Sequence, residues 1–266
     1  MTTLIFSKDR AMQLEATIES YFLHHRGESK IIVLYKTTTN RHQKQYDRLI
    51  KDFPGVAFIK EISFKQQVLG IMDSADYIFF TVDDVIFFGD FYPQKMIVCM
   101  QKAHKVISFS LLLGKNTNYC YPKDSKQPPP EFTVVEDNIL EFNWPGASFD
   151  FGYPMNVAAC LFFVPDIIEV VRAIKFKNPN WLEGYLAANA SLFRGLNKRL
   201  CYEQSVAVCN PANLVQDVCP NRSGTNKEYT AESLADLFDM GKRIDFRSYT
   251  GIIPSSAIEE IPLKFL

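Results

Sequence analysis

Two aspartates, Asp83 and Asp84, stand side by side inside the most apolar run of the chain, YIFFTVDDVIFF from Tyr77 to Phe88. An ionised carboxylate buried without a partner is costly, and two neighbours also repel each other. Such a pair belongs either in a turn that reaches solvent or against a cation. A divalent ion needs one or two carboxylates, completed by phosphate oxygens of a substrate. In that setting it stabilises the charge that develops on a departing diphosphate. The structural alternative is a plain turn, in which one aspartate caps a helix expected from about Phe91 to Ala103.

The elements that must position the pair read as alternating strands and helices. Strands are expected at Thr3 to Phe6, Ile31 to Tyr35, Val56 to Ile59 and Tyr77 to Val82. Between them, Ala11 to Phe22, Arg41 to Phe53 and Phe64 to Met72 carry apolar residues at helical spacing. This order predicts a mostly parallel sheet covered by helices. The second half is less regular. It carries expected strands at Val106 to Leu111, Ala158 to Val164 and Leu200 to Val208, and a proline-rich loop from Cys120 to Glu131. Helices are expected from Pro165, over Trp181 to Phe193 and over Ala231 to Met240, with a polar loop at Pro211 to Asn226. The expectation is one domain, with a nucleotide-type half over residues 1–105 and a more irregular half over 106–266. In an open parallel sheet, ligands bind at the carboxyl ends of the strands. Ser7-Lys8-Asp9-Arg10, Tyr35 to Thr39 and Asp83-Asp84 all fall there.

The bulk composition removes several function classes. With 29 basic and 30 acidic residues in 266, the chain has no basic excess to hold nucleic acid. No apolar segment is long enough to span a bilayer, and MTTLIFSKDR lacks the charged-then-apolar order of a secretory signal. A cytoplasmic protein is therefore expected, with peripheral membrane contact left open. The six cysteines form no CxxC pair, which argues for reduced thiols rather than zinc or disulfides. Neither GxGxxG nor GxxxxGK[ST] occurs, nor HExxH or GxSxG. The acidic pair also lacks the aspartate spacing of haloacid-dehalogenase-type phosphatases.

Four stretches, taken in order, resemble GT-A glycosyltransferases. They are SKDR opening a helix that begins AMQL, the helix SFKQQVLGIMDSA leading into DYIFFTVDD, the segment FDFGYPMNVAACLFF, and NPANLVQDV from Asn210 to Val218. The resemblance implies an α/β GT-A-like fold, a Rossmann-type, mostly parallel mixed sheet flanked by helices. It implies a donor site for a nucleotide-diphosphate sugar, expected to be UDP-linked, with Mn²⁺ or Mg²⁺. Asp84 matches the metal-binding last aspartate of the DxD-type motif. Asp83 matches its middle position, toward metal or ribose, and Val82 replaces its first acid. Ser7 and Arg10 match the loop that meets the nucleotide, and Lys65 matches residues approaching it from the helix before the motif strand. Asp217 stands where family members often place a metal-binding histidine, and Arg222 could pair with a phosphate.

An inverting transferase also needs a carboxylate base at the acceptor hydroxyl; Asp150 in SFDFGYP and Glu183 in NPNWLEGYL are the candidates. The expected activity is sugar transfer to a glycan or lipid-linked acceptor. The alternative is a non-catalytic nucleotide or sugar binder on the same fold. A nucleotidyltransferase is disfavoured, because no glycine-rich loop follows the first strand.

Overall fold

The computed structural model describes residues 1–213, 222, 224 and 227–266. Its first half follows the expected alternation closely. Strands β1 (Thr2–Lys8), β2 (Lys30–Lys36), β3 (Ala57–Lys60) and β4 (Tyr77–Val82) are separated by helices α1 (Ala11–His24), α2 (Asn40–Asp52) and α3 (Phe64–Met72). The start of α2 is locally encoded. Thr39 caps α2 by accepting from the His42 amide at 3.2 Å.

After β4 the chain turns at Asp83-Asp84 and resumes as β5 (Val85–Phe87), then α4 (Pro93–Lys102) and β6 (Val106–Ser110). A small hairpin follows, β7 (Tyr119–Cys120) and β8 (Ser125–Lys126), inside what the sequence reads as a loop. A second hairpin, β9 (Thr133–Glu136) and β10 (Ile139–Asn143), precedes β11 (Cys160–Phe163). Then come α5 (Val164–Ala173), α6 (Pro179–Ala188), β12 (Lys198–Tyr202), β13 (Ala207–Cys209) and α7 (Ala231–Asp239). The single late strand expected over Leu200 to Val208 is therefore two strands. The polar break Glu203-Gln204-Ser205 separates them, and β13 leaves the main sheet to pair antiparallel with β5.

Nine strands form one sheet in the order β3-β2-β1-β4-β11-β6-β12-β10-β9, so the sheet runs through both halves of the sequence. β1, β2, β3 and β4 are mutually parallel. β11 is antiparallel to both β4 and β6, and β12 is parallel to β6. The carboxyl ends of β1, β2, β4, β6 and β12 therefore share one edge. The apolar residues after the acidic pair have a packing reason. Phe87 of β5 meets Tyr21 of α1, Phe79 of β4 and Phe91 in an aromatic cluster with centroid separations of 5.3 to 6.4 Å.

Candidate active site

Asp83 and Asp84 form the turn between β4 and β5, at the shared strand edge. The cation that their sequence setting calls for comes from the chain itself. One Arg10 nitrogen, Nη1, donates to Asp83 Oδ1 at 3.0 Å and to Asp84 Oδ2 at 2.9 Å. Arg10 reaches them because β1 ends two residues earlier, at Lys8, in a sharp turn. Asp9 adopts a left-handed φ of 55°, which short polar residues tolerate. Its carboxylate accepts from the Thr38 amide at 2.8 Å and hydroxyl at 2.9 Å, tying the loops after β1 and β2 together.

The rest of the Asp83 carboxylate is also occupied. Oδ2 accepts from the Ser7 hydroxyl at 2.8 Å and the Lys8 amide at 3.2 Å. Ser7 is in turn hydrogen-bonded to the buried Tyr46 hydroxyl, which also accepts from the Arg10 amide. Burial pushes Asp83 up to about 6; Arg10 opposes that rise and the Asp84 charge adds to it. Burial on its own would lower Arg10, yet Asp83 and Asp84 together hold it above its ordinary value. Asp84 is the more open of the pair, with its side chain 11% exposed. Its Oδ1 accepts from the Cys209 thiol at 3.2 Å, and its carbonyl from the Asn210 amide at 2.7 Å. Burial, and then the Asp84 charge, drive that thiol well above its usual range.

Arg10 spends its remaining nitrogens on Asn213. Nε donates to the side-chain oxygen at 2.8 Å and Nη2 donates to the carbonyl. A small cavity of about 10 Å³ lies behind the pair, lined in part by Gln13, Asn210 and Tyr249. That is room for about one water, and Gln13 Nε2 is buried with no hydrogen-bond partner among the described residues.

The second-half carboxylates differ in how far they are spent. Glu183 on α6 accepts from the Tyr153 hydroxyl at 3.3 Å and the Val157 amide at 2.9 Å. Asp150 is freer. Its Oδ1 accepts from the Cys120 thiol at 3.9 Å, Gln127 beside the carboxylate favours its ionised form, and among the described residues its buried Oδ2 has no hydrogen-bond partner. Burial raises Asp150 to about 6 and also raises Glu183. The charge of Asp150 adds to the rise of Glu183, and the charge of Glu183 adds to that of Cys209, the residue on Asp84. The two halves of the candidate site are thus electrostatically in reach of each other. The segment between β10 and β11 that carries Asp150 is bracketed by Phe149 (φ 44°) and Ala159 (φ 46°), both in the left-handed region. Non-glycine residues there cost about 1–3 kcal/mol each and concentrate at functional sites. Gly152 has no room for a side chain, because a Cβ would strike the Ala147 carbonyl.

Ser7, Arg10, Asp83 and Asp84 are therefore brought together. Lys65 is not brought to them: its Nζ donates to the Arg172 and Ile174 carbonyls, at 2.7 and 2.6 Å, closing the end of α5. Arg222 lies on the β7–β8 hairpin, donating to Asp124 at 2.6 Å and Tyr119 at 2.8 Å over the Tyr121 ring. Asp217 falls outside the described residues. Trp181 packs partly buried against Tyr185 under Lys177. Sequence reading missed Asp9, Tyr46, Cys209 and Asn213. Asp9 left a trace as the acidic neighbour of Arg10, and Asn213 as a member of the NPANLVQDV stretch; Tyr46 and Cys209 come from α2 and β13.

Among the described residues, no three His, Cys, Asp or Glu side chains gather around a metal-sized space. Both oxygens of each aspartate accept a hydrogen bond, but Asp83 takes three and Asp84 takes two and is the more exposed, so Asp84 has more lone-pair room for a divalent ion. One carboxylate with substrate phosphates and waters suffices for Mg²⁺, so the donor chemistry fits, and Asp84 is the residue that would hold the ion.

No known protein-family profile matches the chain. Its sequence is 24% identical over 190 residues to the bifunctional glycosyltransferase pgtA of Dictyostelium discoideum, covering 64% of this chain. The chain spans about a quarter of that relative's length. Its fold is similar to that of S. aureus TarS residues 1–349, with a TM-score of 0.50 at 8% identity, over 80% of this chain and 61% of the other.

Proposed function

We propose that this chain, which has the GT-A fold of glycosyltransferases, moves a sugar from a UDP-linked donor to a hydroxyl of a glycan or lipid-linked acceptor. The observation that carries the reading is the acidic turn after β4. It lies at the ligand-binding edge of the sheet, with Ser7 and Arg10 wired to it. The glycosyltransferase name of the Dictyostelium relative supports the same class.

In this reading Asp84 faces the donor diphosphate, and Arg10 and Ser7 hold the turn in one conformation. A Mn²⁺ or Mg²⁺ bound at Asp84 would offset the charge of the departing nucleoside diphosphate. Asp150 Oδ2, unpartnered and held near the working pH, takes the proton of the acceptor hydroxyl. The acceptor oxygen then bonds to the anomeric carbon as the bond to the diphosphate oxygen breaks, with inversion. Glu183 keeps both oxygens on the 153–157 backbone and side chains, so it supports the segment rather than accepting the proton.

The test is transfer and donor hydrolysis with Mn²⁺ for the wild type and Asp84→Asn. A loss of about 100-fold or more is expected, by analogy with removing one group that stabilises transition-state charge. Unchanged turnover in a folded Asp84→Asn would end the reading. Because Arg10 already neutralises much of the pair, a binder without turnover is the rival. Calorimetric binding of UDP-sugar, with no product across an acceptor panel, would select it.

A further inference from the structure

Arg199, at the start of β12, is 1% exposed and meets no carboxylate among the described residues. A buried guanidinium without an anion is unusual, and its hydrogen bonds show what satisfies it. Nη1 donates to the Asp150 carbonyl at 2.8 Å and the Tyr153 carbonyl at 3.0 Å, with a longer approach to Phe151 at 3.5 Å. Nε donates to Ser108 Oγ at 3.2 Å, and that hydroxyl donates to the Pro154 carbonyl at 3.1 Å. All of these carbonyls belong to 150–154. Glu183 grips the other end of the segment through Tyr153 and Val157. A buried cation and a buried anion, not bonded to each other, thus clamp one strained loop between them.

We infer that Arg199 is a positioning residue for Asp150: it fixes the backbone on which that carboxylate is carried and supplies the nearby positive charge. This rests on the reading of Asp150 as the base. The titratable and charged groups described as facing Asp150 are Cys120, Glu183 and Arg199. Of these, Arg199 carries the positive charge, and it and the Cys120 hydrogen bond favour the ionised carboxylate against the dominant effect of burial.

The experiment compares wild type, Arg199→Lys, Arg199→Gln and Asp150→Asn as full chains, each checked for folding by thermal melting. The measurements are the pH dependence of kcat and the KM for the UDP-sugar. Arg199→Lys keeps the charge but loses the planar fork. It is expected to lower kcat by about 100-fold, as a misplaced reacting group does, with the acid limb of the profile unmoved. Arg199→Gln is expected to lower kcat similarly and to move the acid limb upward, on the order of one pH unit. Donor KM is expected to stay within about twofold in both, since kcat losses from positioning leave donor binding intact. An acid limb unmoved in a folded Arg199→Gln overturns the inference while leaving the base assignment standing. Full turnover in Asp150→Asn overturns the base assignment and the inference with it. If Arg199→Gln fails to fold, Arg199→Lys decides: wild-type kcat, or a donor KM raised in step with a lost kcat, rejects the positioning role.

Discussion

Arg10 shows how one residue can settle the electrostatics of a site. Two carboxylates against one guanidinium leave a single net negative charge at the turn, all of it largely desolvated. A buried ion pair adds little over apolar packing, but removing one member leaves a buried charge uncompensated. Arg10→Met is therefore expected to destabilise the chain by about 3–5 kcal/mol in urea unfolding. The double variant Arg10→Met, Asp83→Asn should lose less than the sum of the single losses, because the second change removes the stranded charge. Additive losses would show that Arg10 acts through Asn213 instead. At this scale the acidic pair was legible, since two carboxylates in an apolar run demand a partner. The partner's identity is half legible: the loop resemblance assigns Arg10 to a nucleotide, whereas its side chain turns back onto Asp83, Asp84 and Asn213. Nothing in the local sequence says which way a long side chain turns when anions lie both outside and inside.

The elements were legible where they repeat a period and illegible where they depend on a partner. β1 to β4 and α1 to α3 carry strong apolar periodicity, and their bounds fell within one or two residues of those expected. β5 and β13 are three residues each and exist because they pair with each other across more than a hundred positions. β9 and β10 are tied by a tight turn at Asp137, whose φ is 44°. No period marks strands that short. The contact of α1 with the C-terminal segment is of the same long-range kind. Glu15 of α1 is buried and paired with Arg243 at 2.6 Å. Burial pushes Glu15 up to about 7, with Arg243 opposing. The folded chain therefore holds a proton that the unfolded chain has released between about pH 4.5 and 7, and Glu15 erodes stability as pH rises through that window. Glu15→Gln cannot ionise, so its melting temperature relative to wild type should climb from pH 4.5 to 7 and level off above. A constant difference across that range would place the Arg243 attraction above the cost of burial.

For the molecule as a whole, the site is an assembly of distant segments. Asp84 receives Cys209, Arg10 holds Asn213, and Asn210 bonds Tyr249 and the Ile261 carbonyl near the C-terminal end. A donor that seats on this assembly binds the folded chain and not the unfolded one. Its stabilisation follows RT ln(1 + [L]/Kd), about 2.7 kcal/mol at a hundredfold excess over Kd. For a chain of this size each kcal/mol moves the melting temperature by roughly 2–4 °C, so a true donor at that concentration should raise it by about 5–10 °C. Melting with UDP-, GDP- and CMP-sugars, with and without Mn²⁺, separates the terms. UDP-sugar with Mn²⁺ is expected to give the largest rise. In Asp84→Asn the metal-dependent part should vanish while the metal-independent part survives, because Ser7 and Arg10 keep their places. A GDP- or CMP-sugar giving the largest rise would reassign the base. An equal rise with and without Mn²⁺ would mean that Arg10 already supplies the positive charge the diphosphate needs, and that the acidic pair holds the arginine rather than a metal.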